Sequence, residues 1–330
     1  MADFSIVAVV LVALFFDFTN GFHDAANSIA TSVSTRAIAA RPAVIVSAIL
    51  NVAGAFISIK VAATVAKGIV DPGVITPSIV LAGLVGAISW NLVTWYFGLP
   101  SSSSHALIGG VVGSAVAANG FDVVKWHGLE EKVLVPSLLA PFLGIAGAAL
   151  IMTALIWLIR RRSPGLVNRV FRRLQLVSGG FVAFTHGTND AQKTMGIISL
   201  ALVADGRLSP DFTRPPTWVI GGAAVAMAAG TYAGGWRIIK TLGQRIAKID
   251  PPQGFAAQTA CARMNGSLCS TPARTGSRSV CATCSLLSTV SARLPKSRRP
   301  LVPATQLPRI SSSWSSKDIW PRFHARYRSR

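Results

Sequence analysis

Two acids carry the chemistry this chain offers. Asp24 lies in TNGFHDAANSIAT (19–31) and Asp190 in THGTNDAQKTMGI (185–197), 166 residues further on. At that offset Phe18 matches Phe184, Thr19 matches Thr185, Gly21 matches Gly187 and Ala25 matches Ala191. Both acids sit in apolar surroundings. An Asp at mid-bilayer costs about 2.5–3.5 kcal/mol on insertion scales, so it faces a bundle interior and marks an ion path. A structural hydrogen bond to a neighbouring helix is the plain alternative for one acid; duplication argues against it. Asp17, about two helical turns before Asp24, adds a third carboxylate. Asn20, Asn27, Thr188, Asn189 and Gln192 supply neutral donors and acceptors. His23 can carry a proton near neutral pH, or it can simply join two helices. Lys193 follows Asp190 by three residues, on nearly the same helix face. It can pair with that acid, contact an anion, or stand where a cation binds in the other copy. Gly21 and Gly187 precede the acids, and glycine weakens a helix. A break is expected at each. Freed carbonyls beside a carboxylate make a hard-cation site; freed N–H groups and half-helix dipoles suit an anion.

A third stretch, LPSSSSH (99–105), precedes a small, Gly-rich apolar run. Serine caps helix N-termini, and the unpaired N–H groups of such a terminus bind anions. A serine-capped surface loop is the bland reading. Together with the acids, Ser102, Ser103, Ser104 and His105 offer donors to a tetrahedral oxyanion while the carboxylates await a cation. The anion can sit beside Asp24 and Asp190 only when a cation or proton neutralises them. That condition is the basis of symport.

These residues need helices to hold them. The chain has 330 residues, 51% hydrophobic and 13% charged, against about 25% charged in soluble domains. Ala43–Ile59, Pro77–Phe97, Val133–Ile159 and Trp218–Trp236 are long and almost uncharged. A bilayer core needs about 20 such residues per helix, so an all-α, polytopic membrane bundle is expected, in place of a soluble two-domain protein. Short loops rich in Lys and Arg stay in the cytoplasm. That rule puts Arg36 and Arg41, the stretch Arg160–Arg173 and the stretch Arg237–Lys248 inside. The crossings then balance if 77–118 forms a re-entrant helical hairpin with Pro100–His105 at its tip; two full spans give the same parity. The two acid-bearing helices cross in opposite directions, which is an inverted-topology repeat. The expected organisation is a first repeat (1–159), a basic cytoplasmic linker (160–173), an incomplete second repeat (174–260) and a basic tail (261–330).

NGFHDAANSIAT and HGTNDAQKTMGII resemble the duplicated signature of the PiT inorganic phosphate transporters. GLPSSSSHALIGGVVGS resembles that family's serine-histidine hairpin, and AFTHGTNDAQKTMGII is most similar to its bacterial low-affinity members. The resemblance covers about residues 4–260. It implies phosphate import by symport with H+ or Na+, in some members as a metal–phosphate complex, at the inner (plasma) membrane. By position it makes Asp24, Asn27, Asn189 and Asp190 ion or phosphate ligands and Ser102–His105 the first hairpin tip. Asp17, Asn20 and His23 join the acids as coupling groups, and Thr188, Gln192 and Lys193 join the phosphate site. Lys193, where sodium-coupled members usually have a neutral residue, fits the bacterial branch.

After GFAAQTA the resemblance implies a second hairpin with its own Ser/Thr-Thr-His tip. This chain instead turns rich in Arg, Ser, Pro and Cys. Residues 261–330 hold 13 of the 32 Lys and Arg but 1 of the 12 acids, and all 4 cysteines. Such composition is what a shifted reading frame of a GC-rich gene yields. A disordered tail and a poorly transporting chain are therefore expected; a genuine basic tail is the alternative. Cys261, Cys269, Cys281 and Cys284 have poor zinc spacing and no supporting His. No resident metal, cofactor or specific nucleic-acid partner is expected, since the basic charge can hold anionic lipid or RNA without specificity. A homodimer remains open. Competing functions are sulfate transport, a passive channel, and an intramembrane phosphohydrolase using Ser104, His105 and Asp24. The last is disfavoured because adjacent Ser104 and His105 at a helix start do not readily make a triad.

Overall fold

A computed structural model describes residues 2–57, 72–99, 101–209, 212, 214–233, 235, 238–239 and 249–269. Most of these residues are helical, and among them there is no strand. The principal helices are α1 (Ala2–Ser34), α2 (Ala40–Ile57), α3 (Pro77–Phe97), α4 (Ser103–Asn119), α5 (Val135–Ile159), α6 (Pro164–Ala204), α7 (Thr217–Ala233) and α8 (Pro251–Cys269). The polar segment before α5 coils through a 3-10 turn (Phe121–Val123), one α turn (Trp126–Leu129) and a π turn (Glu130–Leu134). Among the described residues, four helices are long and apolar enough to cross a membrane: Ser5–Ser34 of α1, then α2, α3 and α5. Along α5, Leu138, Phe142, Leu150, Trp157 and Leu158 are exposed, as lipid-facing side chains must be in a bundle whose solvent is hydrocarbon. At its end the Arg160 guanidinium lies 4.6 Å over the Trp157 ring, a cation–π contact suited to a membrane boundary.

The expected breaks at Gly21 and Gly187 are not there. Both α1 and α6 run through them as unbroken helices. The missing side chains serve close approach instead. A Cβ on Gly21 would strike the Met227 carbonyl of α7 and lie 2.9 Å from Thr231 N. On Gly187 it would strike the Asn51 carbonyl of α2 and lie 2.6 Å from Asn51 Cα. The contacts are returned one turn away. Gly230 of α7 sits against the Phe18 carbonyl of α1, and Gly54 of α2 sits against the Phe184 carbonyl of α6. Phe18 and Phe184, like Gly21 and Gly187, are partners at the 166-residue offset. The same crossing is thus built twice, α1 on α7 and α2 on α6. Packing of this closeness outweighs the roughly 1 kcal/mol that a helical glycine costs. Asn51 Nδ2 donates to Thr231 Oγ1 at 3.0 Å, joining the partner helices α2 and α7.

The Arg160–Arg173 stretch also differs from a plain linker. Only Arg160–Ser163 lies between helices; α6 begins at Pro164, and Phe171 is buried. Proline at the first helical position is preorganised for that role. Phe171 meets Phe255 of α8 edge-on, with centroids 5.5 Å apart. The helix α8 continues past residue 261 to Cys269, and Cys261 is buried with Ala140, Ala148 and Val182. Residues 270–330, with the expectations placed on them, lie outside the described residues, as does the stretch 240–248.

Candidate functional site

Helices α3 and α4 form a hairpin. Gly98, with φ 67°, closes α3 in the left-handed conformation, and its N–H is received by the carbonyls of Thr94 and Trp95. Ser102 caps α4, its side chain accepting the His105 N–H at 3.4 Å. The two helices cross tightly at Gly83 and Gly110. The tip between them reaches both acid-bearing helices. The Ser103 hydroxyl lies 2.7 Å from Asp24 Oδ2 and 2.5 Å from Asn20 Oδ1, both on α1. The next residue, Ser104, accepts a bond from Lys193 Nζ of α6 at 2.8 Å. Adjacent serines therefore tie one tip to opposite signature helices.

Around Asp190 the contacts come from α1 and from its own helix, α6. Asn20 Nδ2 donates to Asp190 Oδ2 at 3.3 Å, linking α1 to α6. His186 Nε2 lies 3.3 Å from the same oxygen, and Lys193 Nζ lies 3.9 Å from Oδ1. All these side chains are buried; Asp190 is 1% and Lys193 5% exposed. Buried charges persist only when paired or hydrogen-bonded, and here each has such partners. One donor atom each from Asp24, His186 and Asp190 falls within 4.8 Å of the other two. Two carboxylates and an imidazole at that spacing can share one cation.

His23 connects Asp24 to the hairpin. Its Nδ1 is 3.5 Å from Asp24 Oδ1. Its Nε2 is 3.1 Å from Thr94 Oγ1 at the end of α3 and 3.3 Å from Ser101 Oγ. His105, by contrast, turns to α5: Nδ1 lies 2.8 Å from Ser102 Oγ and Nε2 2.7 Å from Ser137 Oγ. Ser104 thus meets a lysine, and His105 meets other serines, so these three residues do not assemble the Ser104–His105–Asp24 arrangement of a hydrolase.

The remaining expected residues divide. Asn189, Gln192 and Thr188 are buried on α6 near Asp190 in sequence. The Thr188 hydroxyl, however, donates to the Thr185 carbonyl at 2.7 Å, so its proton is committed within the helix. Asp17 is fully buried on α1, further toward its N-terminus. Asn27 lies on α1, and its side chain is outside the described residues. His186 is not among the residues expected from the sequence, although its spacing four before Asp190 puts it on the acid's face.

A second polar cluster braces the bundle beside the site. Gln258 of α8 donates through Nε2 to Thr31 Oγ1 at 2.7 Å and Ser32 Oγ at 2.8 Å. Its Oε1 accepts from Ser178 Oγ of α6 at 2.8 Å. One amide thereby holds α1, α6 and α8 together.

Comparison with known proteins gives a consistent result. The family model described as "Phosphate transporter family" matches residues 20–315. A Mycobacterium bovis protein named "Probable low-affinity inorganic phosphate transporter" is 53% identical over 263 residues, which are 78% of this chain and 62% of the relative. Proteins with the same name from Rhizobium meliloti and Bacillus subtilis are 49% and 44% identical, over 77% and 76% of this chain and 76% and 75% of theirs. The chain spans about three fifths of the mycobacterial relatives' length. A solved structure titled "The sodium-dependent phosphate transporter" superposes with a TM-score of 0.69 at 20% identity, covering 88% of this chain and 90% of that one. At that identity the likeness speaks for the fold.

Proposed function

Because the chain belongs to the phosphate transporter family, a family of multi-pass membrane proteins, we propose that it is a secondary active transporter of the inner membrane. It takes inorganic phosphate inward together with H+ or Na+. The observation that carries this reading is the hairpin tip: Ser103 on Asp24 and Ser104 on Lys193, beside Asp190. Hydroxyl donors and a lysine for an oxyanion stand within reach of two carboxylates for a cation. Phosphate and cation each remove the other's electrostatic penalty, so binding both is favoured over binding either alone.

The signature helices are read as crossing the membrane in opposite senses, with α3 and α4 re-entrant. Support for the second point is that Ser103 meets α1 at Asp24, ten residues before its C-terminal end, or about 15 Å at 1.5 Å per residue. The repeated glycine crossing supports the first. Single cysteines placed at Arg36 and Asp205 test it: impermeant reagents should label them from opposite faces, and labelling from one face rejects the inverted repeat.

Residues 261–330 depart from the resemblance in composition, and we read the chain as written as a weak carrier. Two measurements separate the parts of this reading. Phosphate should raise the thermal midpoint of the purified chain more than sulfate does; an equal or absent rise removes phosphate as the substrate. Radiolabelled phosphate uptake in a transport-deficient host should be low, and gradient-driven uptake at a relative's rate would show the carrier to be complete.

A further inference from the structure

We propose that the Lys193 ammonium is a built-in counter-cation for Asp190, so that the second acid draws its positive charge from the chain itself. The inference deepens the symport reading above and rests on it in one respect, that the acids must be neutralised for an anion to approach.

The geometry is specific. Asp190 Oδ2 faces Asn20 and His186, while Oδ1 faces Lys193 Nζ at 3.9 Å. The ammonium also donates to Ser104 Oγ at 2.8 Å. It is 5% exposed, so water screens it little. Asp24 and Asp190 bring carboxylate oxygens within 4.8 Å of each other. Negative charges that close repel each other, and a fixed cation beside one of them relieves the conflict. At the equivalent place in the first copy the residue is Asn27, which is neutral. The repeat is therefore asymmetric in charge at this one step of the motif. The same ammonium also bonds the hairpin tip, so charge compensation at Asp190 and the seating of Ser104 are one event.

Replacing the tethered cation should open the Asp190 side to a soluble one. The test uses the full chain purified in detergent, unfolded thermally in sodium chloride or in choline chloride at equal ionic strength. Wild type, K193Q, K193R, D190N and K193Q/D190N are compared. K193Q should unfold at a lower temperature in choline and regain several degrees in sodium, a response clearly larger than that of wild type. K193R should keep the wild-type response. K193Q/D190N should lose the added sodium response and be more stable than the two single losses summed, because the charge left bare by one change is removed by the other. If K193Q does not fold, recovery of a folded K193Q/D190N with no sodium response sustains the proposal. A sodium response in K193Q equal to wild type overturns it, as does additivity of the two single changes, or failure of the double variant where D190N folds. A phosphate arm separates this from the transport reading. If phosphate stabilises none of the proteins while the sodium and double-variant results hold, the substrate assignment falls and the counter-cation stands.

Discussion

Substituting Gly21 or Gly187 by alanine tests whether the glycines act through closeness or through flexibility. In Gly21→Ala the new Cβ would meet the Met227 carbonyl and lie 2.9 Å from Thr231 N. Comfortable separation is about 3.5 Å, so α1 and α7 must part by at least about 0.6 Å. A gap of that order forfeits a quarter to a half of the dispersion attraction between atoms that faced each other across the seam. Overpacking costs about 1–3 kcal/mol, and the high end applies because the struck atoms are backbone. Better helix propensity returns about 1 kcal/mol. A net loss of about 2 kcal/mol follows. Gly86 on α3 and Gly109 on α4 are controls, since a Cβ there meets nothing within 4 Å; alanine at either should be neutral or up to about 1 kcal/mol stabilising. Reversible SDS unfolding in mixed micelles, followed by circular dichroism, reads the difference. If Gly21→Ala and Gly187→Ala prove as stable as the two controls, the close-crossing account is wrong.

Three further expectations follow from the site. Ser103→Ala removes the hydroxyl shared by Asp24 and Asn20; it should cost about 1–3 kcal/mol and diminish any phosphate-dependent rise in midpoint, checked by thermal unfolding with and without phosphate. Gln258→Leu strips one amide from Thr31, Ser32 and Ser178; a loss of about 1–3 kcal/mol is expected, and hydrogen exchange should rise in α8 while α3 stays protected. Translation of the underlying DNA in the other frames from codon 261 onward should reveal a Ser/Thr-Thr-His hairpin; its absence there would reject the frameshift.

Much of the bundle was legible because the physics of hydrocarbon is coarse. A helix such as α5 must be apolar along its length, and Val133–Ile159 announced it within two residues. The serine tip was legible too, since Ser102 followed by a helix-forming run is a capping signal that needs no tertiary information. Glycine was harder. Lower helix propensity suggested a break at Gly21 and Gly187, but the carbonyls that fill the space come from α7 and α2, distant in sequence. The charge of Arg160–Arg173 reads as a linker, whereas the Ser163–Pro164 start signal with apolar residues at 166, 167, 170, 171 and 174 marks a helix. His186 could have been found by the offset itself, since it is the counterpart of Asn20, and both now contact Asp190. The Gln258 cluster carried no such mark: one glutamine in an alanine-rich run gives no hint that three hydroxyls will surround it.

The exchange of partners between the two glycine crossings has a mechanical consequence. Each acid-bearing helix is clasped by the follower of the other, so the halves are interlocked like two hands with crossed fingers. Swinging one half away from the other would prise apart both seams at once and expose helix backbone in oil. The serine-tipped hairpin belongs to the same frame, since its Val80, Leu84, Leu107 and Val111 are buried in one core with Val9 and Phe16 of α1 and Ile198 of α6.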